Sequence, residues 1–321
     1  MVLGSTLGAM VAKAVSASPA QTGPQGQDMT QSVHPNQRER RQTGMSWEEW
    51  PSSPRMPVLF LGHGSPMNAI EDNAWRRSWQ AMGQRLLGAP ARPRLILCVS
   101  AHWMTMGWQL TAMEQPRTIH DFYGFPQSLF DQQYPAPGAP GLAADISAGV
   151  TQPDSGKPLV LDDLEWGLDH GAWSVLKPMF PAADIPVIQL SIDLNRPASE
   201  HFALGRQLAA LRDKGVLIIG SGNVVHNLRA LQRQAADNQA YDWARAFDDW
   251  VASRVDSGNL ADLGKAQQQG ETARLSHPSW DHFLPLATVA GAIDADQDKP
   301  QMFNTGFQLA SISMRSVIWG A

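Results

Sequence analysis

Three short apolar runs stand out along the chain, each followed by a histidine. Residues 56–61 (MPVLFL) lead into Gly62-His63-Gly64-Ser65-Pro66, residues 94–99 (RLILCV) into Ser100-Ala101-His102-Trp103, and residues 216–219 (VLII) into a Gly-Ser-Gly-Asn loop that reaches His226. Brief β-branched runs bounded by glycine and serine read as fully buried strands of a parallel sheet. Between them the apolar spacing turns helical. Residues 68–87 carry Ile70, Trp75, Trp79 and Met82 on one face, and residues 198–214 form a second amphipathic helix. Further helices are expected over 138–150, 172–180, 228–255 (broken near 237–238) and 279–292, the last with Ser279 as N-cap. Strands are expected at 158–161, 185–192 and 311–319, while residues 104–137 and 257–276 read as long loops with short pieces of structure. Helices alternating with strands predict an α/β fold: a doubly wound sandwich with a mostly parallel central sheet, in a single domain.

Length and composition fit that picture. The chain has 321 residues, 43% of them hydrophobic, which is enough for one large core. The formal net charge of −5 offers no basic groove, so nucleic acid is not an expected partner. No apolar run approaches the roughly 18 residues that a spanning helix needs, so no membrane partner is expected. The lone Cys98 falls inside a strand and reads as a buried small hydrophobe. Residues 1–54 differ in character, small and apolar at first and then polar and glutamine-rich. They read as a leader, disordered or weakly targeting, with the functional domain over 55–321. A cytoplasmic location is expected, or export to the periplasm if the leader is a signal peptide.

Ligands of open α/β sheets bind beyond the carboxyl ends of the strands. Histidines recurring at three such ends point to a shared metal, because imidazole binds iron, zinc and copper. His63, His102 and His226 are the first candidates, and His282, in Trp280-Asp281-His282-Phe283, is a further ligand able to reach the same crevice. His277 competes with it but precedes a proline and reads as a turn. His34 and His201 are expected to be solvated. His120 and His170 form a second tier, each beside an aspartate (Asp121 and Asp169), as groups that move protons without binding metal. No Gly-x-Gly-x-x-Gly fingerprint opens a βαβ unit, so dinucleotide binding is unsupported.

These residues carry a resemblance. GHGSPMN (62–68), SAHW (100–103), TIHDFYGFP (118–126), DHG (169–171), GSGNVVHN (220–227) and HFLPL (282–286) resemble, in order, the class III extradiol ring-cleavage dioxygenases, in particular their 4,5-DOPA extradiol branch. The resemblance covers about residues 55–321. It implies a non-haem metal at His63, His102 and His282, with His226 either a fourth ligand or a base that takes a catechol proton. It implies Fe(II) as the catalytic metal, with Zn(II) possible in the same site. The third position holds histidine where better-known members of the class hold glutamate, and an all-imidazole set also suits zinc. The implied reaction opens the ring of a DOPA-like catechol with O2 to a muconic semialdehyde-type product. His170 is then the group that stabilises oxygen and donates a proton, while His120, Phe122, Tyr123 and Phe125 line the ring pocket or hold the substrate tail. The implied protein is a monomer or small homo-oligomer. Two other readings compete: a zinc-dependent hydrolase using the same imidazoles, and a non-enzymatic binding protein on the same fold.

Overall fold

Eight strands form one sheet in the order β4-β3-β5-β2-β6-β1-β10-β7. The structure is a computed structural model that describes residues 46–90, 92–236 and 238–320. The strands are β1 (Val58–Gly62), β2 (Leu95–Met104), β3 (Gln109–Thr111), β4 (Val160–Asp162), β5 (Val187–Ile192), β6 (Val216–Gly222), β7 (Pro300–Phe303) and β10 (Ser316–Trp319). Two further strands, β8 (Phe307–Gln308) and β9 (Ile312–Ser313), make a separate antiparallel pair. The four central strands β5, β2, β6 and β1 are mutually parallel, while β3 joins β5, and β10 joins both β1 and β7, antiparallel.

The parallel strands are buried on both faces, and their alternate residues build two separate cores. Leu59, Leu61, Ile96, Cys98, Leu217 and Ile219 pack against helices α1 (Ala74–Leu87) and α4 (His170–Met179) through Trp79, Leu86, Trp173 and Leu176. Val58, Phe60, Leu97, Val99 and Ile218 face the other layer. That layer contains α3 (Pro140–Gly149), α5 (Ala198–Leu208), α6 (Asp242–Asp256), α7 (Gly270–Ser276) and α8 (Leu284–Gly291). The short α2 (Gln127–Phe130) sits in the loop before α3. Residues 46–50, on the leader side of the expected boundary, pack on the domain: Trp50 is buried and its indole N–H donates to Asp145 at 2.9 Å. Residues 1–45, with His34, lie outside the described residues. Among the described residues no helix is long and apolar enough to cross a membrane.

Several expected boundaries shift, each for a physical reason. The segment expected as helix over 228–255 is helical only as a 3₁₀ turn at Leu228–Ala230 and as α6. Its middle instead gives backbone hydrogen bonds to the β8–β9 region, Gln232 N to Leu309 O and Tyr241 N to Ala310 O. The helix expected over 279–292 is only Leu284–Gly291, with Pro285 in its first turn, so Phe283 and not Ser279 stands at its N-cap. The final strand divides into β9 and β10. His201 is buried rather than solvated. Its Nδ1 faces Pro197 O at 3.1 Å, and Asp193 N donates to its Nε2 at 3.3 Å.

Candidate metal centre

The carboxyl ends of β1, β6 and β2, neighbours in the sheet, bring the histidines together. β1 ends at Gly62, and His63 follows, buried, with its backbone N–H bonded to Gly222 O at 3.0 Å. The turn after it is fixed by Gly64, whose φ of +58° favours glycine. Asn68 Nδ2 also donates to His63 O at 3.1 Å. His102 lies inside β2 rather than beyond its end. Between Val99 and Met104 the register with β5 breaks, and this irregularity re-aims the side chains of that stretch, as bulges beside active sites do. His282 comes from the turn before α8. The backbone of Asn223 donates to His282 O at 2.9 Å, an approach that only glycine at 222 permits: a Cβ there would meet His282 O at 2.2 Å.

The result is a compact trio. One imidazole nitrogen from each of His63, His102 and His282 lies within 4.8 Å of the others, and the Nε2 atoms of His63 and His102 are 3.3 Å apart. Each ring is held by its other nitrogen. His63 Nδ1 faces Ser221 Oγ at 3.0 Å, His102 Nδ1 faces Asp121 Oδ2 at 3.2 Å, and His282 Nδ1 faces Asp281 Oδ2 at 2.7 Å. Ser221 Oγ donates to Gly171 O at 2.5 Å, so toward His63 it must accept. Anchoring at Nδ1 leaves each Nε2 free, the arrangement by which outer partners orient metal-bound histidines. Burial, and then the neighbouring His282 and His102, push His63 well below its ordinary pKa. Burial also lowers His282, against the pull of Asp281. For His102, the Asp121 hydrogen bond and charge outweigh burial and raise it. His63 and His282 thus favour their neutral form, His102 has its Nδ1 against Asp121, and three imidazole nitrogens converging within 4.8 Å make a donor set that fits a metal ion.

His170 and His226 flank the trio differently. The His170 ring centroid is 3.8 Å from that of His102, and its Nδ1 faces Asp121 Oδ1 at 3.0 Å. Asp121, not Asp169, is therefore its carboxylate partner. Asp169 is the N-cap of α4 and accepts from Ala172 N, Ser100 Oγ, Trp166 Nε1 and Gln189 Nε2. His226 stacks on His282 with centroids 3.4 Å apart and planes 7° apart, outside the three-nitrogen group. Burial and then His282 hold it well below its ordinary pKa. His120 stands further out. Its Nε2 faces Gln132 O at 2.9 Å, and its ring packs on Phe122, Phe130 and Trp173 rather than pairing with Asp121. Phe122 is buried edge-on to His170 at 5.5 Å, Phe125 packs on Phe122, and Tyr123 is largely exposed. His277 is buried in the α6 core, its Nε2 facing Val224 O at 2.7 Å and its ring stacked on Trp280. The anchoring role of Ser221 escaped the sequence reading, although the residue stands in the Gly-Ser-Gly run already singled out.

Comparisons with known proteins agree with this fold. Residues 57–317 match the family described as the catalytic LigB subunit of aromatic ring-opening dioxygenase. A 4,5-DOPA dioxygenase extradiol of Escherichia coli K12 is 48% identical over 83% of this chain and 95% of its own length. One from Beta vulgaris is 39% identical over 73% of this chain and 86% of its own. The crystal structure of an uncharacterized E. coli K12 protein superposes with a TM-score of 0.69 at 43% identity, covering 82% of this chain and 99% of that one.

Proposed function

This chain belongs to the LigB family of aromatic ring-opening dioxygenases, in its 4,5-DOPA extradiol branch, and from that premise we propose that it opens a DOPA-like catechol with O2 at an Fe(II) ion held by His63, His102 and His282. The chain is an extradiol dioxygenase, and neither a zinc hydrolase nor a non-enzymatic binding protein is favoured. The observation that carries the choice of ligands is the convergence of three imidazole nitrogens within 4.8 Å, each ring tethered through its far side. Fe(II) is preferred because electrons must pass from catechol to dioxygen, and zinc has no redox chemistry. The DOPA-like substrate follows the activity named for the bacterial and plant relatives.

When bound, the ion supplies an anchor for both catechol oxygens and a path for electrons to O2. The remaining work belongs to side chains. His226, stacked on His282 beside the trio, is placed to take a hydroxyl proton as the catechol docks. His170, backed by Asp121, would take the second hydroxyl proton on its far nitrogen and return it as the ring opens. Phe122 and Phe125 wall the ring side of the crevice and keep water out, while His120 and Tyr123 stand where the substrate tail would extend. One carbon–carbon bond beside the diol breaks, and both oxygen atoms enter the product.

The test is anaerobic reconstitution with Fe(II), then L-DOPA and air. The expected result is one O2 consumed per catechol and a yellow product, with zinc-loaded protein inactive. Absence of oxygen uptake by iron-loaded protein with any catechol would overturn the reading.

A further inference from the structure

One carboxylate in this crevice faces two imidazoles. Asp121 Oδ2 lies 3.2 Å from His102 Nδ1, and Oδ1 lies 3.0 Å from His170 Nδ1. The backbone N–H of His170 also donates to Oδ1, at 2.9 Å. His170 Nδ1 is buried and makes no aligned hydrogen bond among the described residues, so the Asp121 carboxylate 3.0 Å away is the charge it faces. His63 and His282 differ, since each has an anchor of its own in Ser221 and Asp281.

We propose that Asp121 is a positioning residue that ties the metal-holding histidine His102 to the proton-handling histidine His170, by setting the same tautomer in both rings through its two oxygens. The proposal rests on the roles given to those two histidines above. An ionised carboxylate only accepts, so a ring nitrogen held against it carries the proton and the far nitrogen keeps its lone pair. In His102 that lone pair is the one a metal takes. In His170 it is the one that receives a proton, and the charge so formed faces a carboxylate, as in other histidine–aspartate pairs. The residue that orients the ion's ligand thus also orients the acid, and the loop 118–126 carries both functions on one side chain. Trp173 Nε1, donating to Ile119 O at 2.8 Å, pins that loop to α4, the helix that begins at His170.

Asp121→Asn tests this, because the amide matches the carboxylate in shape but has only one accepting oxygen. In metal-free protein with ¹⁵N-labelled histidine, wild type is expected to show the Nδ1–H form at both His102 and His170. In Asp121→Asn at least one ring switches to Nε2–H. Asp121→Glu, with two acceptors, restores both. Asp281→Asn, which removes a carboxylate from His282 alone, leaves both rings in their wild-type form. Metal affinity by chelator competition falls about 10- to 100-fold in Asp121→Asn. At saturating metal its kcat falls while KM for the catechol holds. If both rings keep Nδ1–H in Asp121→Asn, the proposal is overturned, whatever the turnover. If the rings switch as expected but wild-type protein consumes no oxygen with catechols, the proposed function fails and the positioning role stands.

Discussion

His63, His102 and His282 each point one nitrogen at the others and are held by the second, so their loss should differ in kind from loss of the flanking histidines. His63→Ala and His282→Ala are expected to lose stoichiometric iron, read by metal analysis after dialysis. His170→Ala should keep its metal and lose about 10²- to 10⁴-fold in kcat, the usual worth of a positioned proton donor. A His170 variant with wild-type turnover would remove that residue from the chemistry. His226→Ala discriminates within the pair it forms with His282: retained iron with depressed turnover marks a base, and lost iron marks a fourth ligand. His63, His102 and His226 were legible in the sequence because they recur after apolar runs, whereas His282 follows none and stood out only as a further histidine able to reach the same crevice. Their partners were not, since Ser221, Asp121 and Asp281 meet them only through the fold. Adjacency in sequence picked Asp169 for His170, whereas Asp169 turns inward as a helix cap and Asp121 arrives from a loop.

Elements with strong periodicity, such as α1, α5 and the central strands, were readable from their own residues. Those that exchange local hydrogen bonds for distant ones were not: Gln232 and Tyr241, read as helix, and Asn238, at the expected break, give their backbone N–H groups to β8 and the turn after it, and β7 and β8 carry too little pattern to be seen. Two predictions belong at this scale. Gly222→Ala puts a Cβ against His282 O, so it should cost about 1–3 kcal/mol in urea unfolding and weaken metal binding together. Unchanged metal affinity would show that the turn before α8 yields without moving its histidine. His201, at the first turn of α5, is held down to about 4 by burial from its ordinary 6.5. In its neutral form one ring nitrogen accepts from Asp193 N, and a proton there would oppose that donor. Above about 6.5 both folded and unfolded chains leave the ring neutral, so it adds no pH dependence. As pH falls from about 6.5 toward 4, the unfolded chain binds a proton that the folded chain refuses. Stability then drops by up to about 3 kcal/mol. His201→Gln should flatten that part of the stability–pH curve, and an identical slope in the variant would refute the assignment.

Across the whole molecule, metal and fold are linked, because the trio exists only when β1, β2 and the turn before α8 are all in place. Bound metal should therefore stabilise the chain by about 2.7 kcal/mol at a free concentration one hundred times its Kd. Chelation should lower the melting temperature by several degrees, at about 2–4 °C per kcal/mol for a domain of this size. A melting curve indifferent to chelator would mean that the three histidines hold no ion. The ligands also come from widely separated parts of the chain, residues 63, 102 and 282. A nascent chain that stops short of residue 282 carries only two of them. With His63, His102 and His282 as the ligands, the three-imidazole site is completed only once the last third of the chain has docked, so metal uptake should lag behind synthesis of that segment.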